Sequence, residues 1–167
     1  MKNILLFGAG KSATILIDYL LSNAEKEDWH LTVVDADINL AQSKIGISSY
    51  GKAVSFDIND ETDRKSFIER SSIVISLLPP ALHTIVAKSC IESNKNLLTA
   101  SYIDDEIRNL QSQIQNKNLL FLCEMGLDPG IDHMSAMKIV DRIHADGGKI
   151  VSFKSHCGGL VAPESDD

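Results

Sequence analysis

The sequence predicts an α/β chain: a doubly wound, mostly parallel sheet with helices on both faces. Three observations carry this reading. Short apolar runs of strand length recur along the chain, near 3–7, 31–35, 53–56, 73–78, 97–99 and 119–123. Helical patterns lie between them, at 11–23, 37–46, 61–70, 82–93 and 104–116, so each strand feeds a crossover to a parallel neighbour. The first run leaves its strand through "GAGKSA".

That turn is the most informative local stretch. Gly8-Ala9-Gly10-Lys11-Ser12-Ala13 fits G-x-G-x-x-G/A. Gly8 permits the tight exit from the strand. Gly10 removes the Cβ that would bar a pyrophosphate, and Ala13 is small enough for the helix to lie close to the strand. Amides at the helix start, with the positive end of its dipole, face the phosphates. A P-loop is excluded, because Gly10-Lys11-Ser12 would need a glycine at position 5, which is Leu5. The second run, with Leu31, Val33 and Val34, ends at Asp35. The dinucleotide fingerprint wants an acid there, roughly 20 residues on, to accept hydrogen bonds from the ribose. Residues 1–130 thus read as a dinucleotide-binding Rossmann domain.

In this fold, ligands bind at the carboxyl ends of the strands. After the third strand, Asp57 is placed to reach the adenine end of a dinucleotide, or to cap a helix or turn. After the fourth, Pro79 and Pro80 end the strand, and His83 reads as a partly exposed surface residue. After the fifth, Ser101 and Tyr102 offer a hydroxyl pair to a polar substrate. An equally simple reading is that Ser101 or Asp104 caps the next helix and Tyr102 packs on it. After the sixth comes "EMGLDPGIDH". Its Asp128 falls near the nicotinamide end, able to bind an ammonium or take a proton, or else to start a turn before Pro129. Asp132 and His133 fit the first turn of a helix at Ile131–Ala145, which has apolar positions Met134, Met137 and Val140 and ends at Gly147 and Gly148.

The stretch "IVSFKSHCGGL" then reads as a strand with no partner left in the chain. Residues 131–167 are therefore expected to be a connecting helix and the first strand of a truncated second domain, whose sheet would lie in residues absent here. Cys157 fits a bystander or proton-donor role better than a nucleophile, since neighbouring His156 would point to the opposite face of a strand.

Composition narrows the function classes. A formal net charge of -7 leaves no basic stripe for nucleic acid. No run is long enough to span a bilayer, and glycines and Lys11 break up the start of the chain where a signal peptide would need an apolar core. Cys90, Cys123 and Cys157 are widely spaced, without C-x-x-C, which suits a reducing cytoplasm. The five histidines show no ligand spacing with them, so no metal is expected.

Taken together, "GAGKSA", "VISLLPPALH", "TASYI", "GLDPGIDHM" and "CGGLVAPES" resemble the amino-terminal part of glutamate-forming saccharopine dehydrogenases. The resemblance implies oxidation of the secondary amine of saccharopine by a nicotinamide cofactor, giving glutamate and 2-aminoadipate semialdehyde, or the reverse in lysine biosynthesis. Cofactor contacts would fall on Gly8, Gly10, Lys11, Ser12, Ala13, Asp57, Ile58, Leu77 and the loop Leu127, Asp128, Pro129 and Gly130. Substrate contacts would fall on Ser101, Tyr102 and Asp128, with Cys157 close to the reacting carbon; Tyr102, Asp128 and Cys157 are the catalytic candidates. The family's carboxylate-binding arginine would lie beyond residue 167, so this chain alone is expected to be an inactive cofactor-binding part of a homodimeric enzyme. Members using NADP carry Cys-Arg after the second strand. Here the pair is Asp35-Ala36, which argues for NAD over NADP, because a carboxylate repels the 2′-phosphate and no arginine grips it. Three rivals stand beside this reading: a dehydrogenase of a related imine such as carboxynorspermidine, a non-catalytic NAD-sensing module, and a non-binding interaction domain, against which the intact glycine fingerprint argues.

Overall fold

The computed structural model describes residues 2–156 and 158. Six parallel strands form one sheet in the order β3-β2-β1-β4-β5-β6. They are β1 (Lys2–Phe7), β2 (Trp29–Val34), β3 (Gly51–Val54), β4 (Ile73–Ser76), β5 (Leu97–Thr99) and β6 (Phe121–Leu122). Strand order reverses between β1 and β4, which opens a crevice at their carboxyl ends.

Alternation along β1 divides the core. Leu5 and Phe7 enter one layer with Ile68, Val86 and Cys90, whereas Ile4 and Leu6 enter the other with Ile17, Leu31 and Val33. Each such buried side chain is worth about 2 kcal/mol of transfer free energy, so both faces hold the strand ends rigidly. Burial pushes the Cys90 thiol up to about 12, against the opposing charge of Lys95; it is a packing residue.

The helices are α1 (Thr14–Ser22), α2 (Ala24–Glu27), α3 (Ile38–Ile45), α4 (Glu61–Arg70), α5 (His83–Glu92), α6 (Asp105–Asn109), α7 (Gln111–Asn116) and α8 (Ile131–Ala145). Aspartates start three of them. Asp37 accepts from Asn39 N–H, Asp60 from Thr62 and Asp63 N–H, and Asp104 from Ile107 N–H. Gly147 and Gly148 close α8 by donating to the carbonyls of His144 and Ile143.

Several boundaries differ from expectation. The helix expected at 11–23 opens with a 3₁₀ turn at Lys11–Ala13, and the one expected at 104–116 breaks at Leu110 into α6 and α7. The third strand starts earlier, at Gly51, because pairing to β2 runs from Leu31 opposite Gly51. Residues 150–156, expected to be a strand, join no sheet, since a strand needs a partner for its N–H and C=O groups. No described helix is long and apolar enough to cross a membrane.

Candidate functional site

The two glycines of the first turn have different causes. Gly8 has φ +97° and donates its N–H to Val34 O at 2.8 Å. A Cβ there would lie 2.8 Å from Leu77 O, on the neighbouring strand exit, so the fold itself demands glycine. Gly10 has φ -60°, and a Cβ there would meet no protein atom within 4 Å. The fold makes no demand at Gly10; a ligand backed against the main chain would. Ala13 is fully buried under the sheet, while Lys11 and Ser12 stay exposed at the head of α1.

Asp35 closes this turn from the side. Its Oδ2 accepts from Ala9 N–H at 2.7 Å and its Oδ1 from Asp37 N–H at 3.0 Å. Asp35, Ala36, Asp57, Ile58, Leu78 and Pro79 line a cleft of about 670 Å³ beside it. No lysine or arginine among the described residues lines this cleft. Asp57 does not cap α4; its Oδ1 accepts from the Asn59 main chain and side chain, and Asp60 takes the cap. Behind the loop, Arg64 is buried and donates to Ile58 O and Ser89 Oγ, holding the cleft wall in place. The alternation of α4 gave no signal for this, because a basic residue in a charged helix reads as solvated.

Across the switch point, the ends of β4 and β5 meet at His83. The expectation of a partly exposed surface histidine is overturned: His83 is 3% exposed. The turn at Pro80–Leu82 drops the first residue of α5 against the sheet. Its Nδ1 lies 2.9 Å from Ser76 Oγ, and its Nε2 lies 2.7 Å from Ser101 Oγ and 3.3 Å from Thr99 Oγ1. Burial pushes its pKa below the ordinary histidine value, although the Asp104 carboxylate opposes this.

The loop after β6 is laced to the loop after β5. Glu124 N–H donates to Ser101 O, Met125 N–H to Thr99 O, and Ile103 N–H to Glu124 Oε1. The lacing brings Tyr102 Oη within 2.7 Å of Asp128 Oδ1, to which it donates. Of the readings open for Tyr102, packing on the next helix is replaced by this contact, and Tyr102 stays largely exposed at 61%. Asp128 and Pro129 are joined by a cis peptide bond. Gly130 has φ +146°, and a Cβ there would collide with the Gly126 main chain, so the loop closes tightly at the start of α8. Leu127 projects outward, 73% exposed.

Asp132 and His133 sit in the first turn of α8, where Asp132 Oδ1 accepts from Gly130 N–H and binds His133 Nδ1 at 2.7 Å. The hydrogen bond to Asp132 raises the His133 pKa. Asp128, Asp132 and His133 present ligand atoms within 4.8 Å of one another, a spacing common among acids without an ion. Cys157 lies outside the described residues.

Comparison with known proteins decides the family. Residues 4–122 match the family described as "Saccharopine dehydrogenase NADP binding domain", and residues 126–167 match "Saccharopine dehydrogenase C-terminal domain". This chain belongs to the saccharopine dehydrogenase family. It is 40% identical, over 99% of its length, to "Saccharopine dehydrogenase [NADP(+), L-glutamate-forming]" of Saccharomyces cerevisiae, of which it spans 36%. It is 37% identical, over 97% of its length, to "Alpha-aminoadipic semialdehyde synthase" of Arabidopsis thaliana, of which it spans 17%. The apo structure of the L-Glu-forming Saccharomyces cerevisiae enzyme superposes with a TM-score of 0.86 at 40% identity, over 100% of this chain and 37% of that one. An NAD-binding oxidoreductase from Klebsiella pneumoniae, 16% identical, shares the fold alone, with a TM-score of 0.59 over 85% of this chain and 39% of its own. As a saccharopine dehydrogenase family member, the chain carries a pyridine-nucleotide-binding Rossmann domain.

Proposed function

We propose that this chain is the cofactor-binding part of an oxidoreductase that oxidises the secondary amine of saccharopine, and that it takes NAD rather than NADP. The observation that carries the first part is the convergence of two sets of groups on one edge of the sheet. The glycine turn and Asp35 stand on one side of the switch point; Ser101 and the Tyr102–Asp128 pair stand on the other. Gly8, Gly10 and Asp35 would hold a nicotinamide cofactor, which would supply the hydride acceptor for the carbon beside the secondary amine.

The chain's own groups supply the rest. Asp128 binds the substrate ammonium or, once the amine is neutral, holds its proton; the Tyr102 hydroxyl keeps that carboxylate aimed. Ser101 hydrogen-bonds a substrate carboxylate. The resulting imine then adds water and splits into glutamate and 2-aminoadipate semialdehyde.

The cofactor preference rests on charge. The matched family and the yeast relative are both named for NADP. In this chain, however, two carboxylates and no lysine or arginine among the described residues line the cleft beside the turn. A 2′-phosphate there would meet like charge without a bidentate partner. Fluorescence titration of the chain should show NADH binding at least about tenfold tighter than NADPH, on the scale of one lost charge-assisted contact. Tighter NADPH binding would overturn the preference. Failure of both to bind at millimolar levels would overturn the proposal.

A further inference from the structure

The His83 network has a direction. Ser76 Oγ is fully buried, and its side-chain partner among the described residues is His83 Nδ1. A buried O–H without an acceptor is the costlier orphan, so Ser76 donates and Nδ1 accepts. A neutral imidazole has one N–H, which therefore sits on Nε2. Nε2–H then points at Ser101 Oγ, 2.7 Å away, with Thr99 Oγ1 at 3.3 Å as a lesser acceptor that also takes the Ser101 N–H. Ser101 Oγ is held from beneath as an acceptor. With that acceptor position taken by His83, the Ser101 hydroxyl keeps its own proton for another partner.

We propose that His83 is a positioning residue that sets the Ser101 hydroxyl as a hydrogen-bond donor toward the site, and so selects an anionic acceptor, a carboxylate of an amino-acid substrate, at that point. The inference rests on the proposed function in taking Ser101 as a substrate contact. Burial supports it: the lowered His83 pKa keeps the ring neutral near pH 7, so the single N–H is preserved. His83 itself does not reach the open site. It acts only through Ser101.

Two readouts separate this proposal from the reading beneath it. The first is the ¹⁵N spectrum of the His83 ring in this chain. It should show one neutral tautomer, Nε2–H, at pH 7 to 8. Ser76→Ala should release it to a mixture, and Ser101→Ala should move the Nε2 signal. An Nδ1–H tautomer would overturn the proposal. The second is kinetic, in the active protein. His83→Ala should raise the KM for saccharopine about tenfold, the scale of one lost hydrogen bond, with little change in cofactor affinity. His83→Gln, whose amide nitrogen falls near the Nε2 position, should recover most of it. In a Ser101→Ala background, His83→Ala should add nothing. An equal penalty in that background, or no rescue by glutamine, overturns the proposal. If Ser101→Ala leaves the saccharopine KM unchanged, Ser101 is no substrate contact and the proposed selection falls with it; the ring spectrum then still reports whether His83 pins the hydroxyl.

Discussion

The proposed cofactor side and the proposed substrate side of this sheet edge are assembled by different means. On the cofactor side, one unbroken run from Gly8 to Ala13 does most of the work, and Asp35 is added by the next strand. On the substrate side, the contacts join residues far apart: His83 to Ser101 across 18 positions and Tyr102 to Asp128 across 26. Local chemistry builds the first. The order of strands β4, β5 and β6 builds the second, because it stacks their trailing loops side by side. The first should therefore break by single backbone changes, and the second by cutting links between loops.

The largest effect is expected at Gly8. Gly8→Ala forces a Cβ against Leu77 O at a positive φ, and should cost on the order of 2–4 kcal/mol of stability in urea unfolding. A loss of cofactor binding with full stability would mean that the turn is not locked by its neighbour. Next comes Asp128→Ala on the other side. In the full-length enzyme, removing the carboxylate should reduce kcat/KM for saccharopine on the order of a hundredfold, as for a lost charged hydrogen bond. An unchanged rate at limiting saccharopine removes Asp128 from the site.

Gly10→Ala sharpens the contrast within the turn. Its backbone already suits alanine, so stability should hold or rise by up to about 1 kcal/mol. NADH affinity should nevertheless fall about tenfold, because the methyl projects where the pyrophosphate must approach. Unaltered affinity would show that Gly10 is incidental.

The smallest effect is a pH slope. His83 has a folded pKa below its unfolded one, so between those values the unfolded chain binds more protons than the folded. Stability should thus decline as pH falls below about 6.5, the unfolded histidine value, and His83→Gln should flatten that part of the urea-midpoint profile. The Asp104 carboxylate works against the decline. A profile identical in the variant would place the titration elsewhere.

Much of this molecule is readable in its residues in order. The alternating apolar runs foretell a parallel sheet, and the glycine spacing with Asp35 foretells the nucleotide turn. Both are set by interactions within a few residues or by simple periodicity. Asp37, Asp60 and Asp104 start helices for the same local reason. His83 shows where such reading stops. Its neighbours in sequence are Leu82 and Thr84, while its ring partners sit on two other strand ends. Arg64 repeats the point: only its packing beneath Ile58 turns a charged helix residue into a support for the wall of the cleft beside Asp35. Local sequence decided what each segment is, because dihedral preference and burial pattern act over short range. Tertiary structure alone decided which polar groups face one another, because a hydrogen bond at 2.7 Å depends on the strand order and register that bring distant loops together.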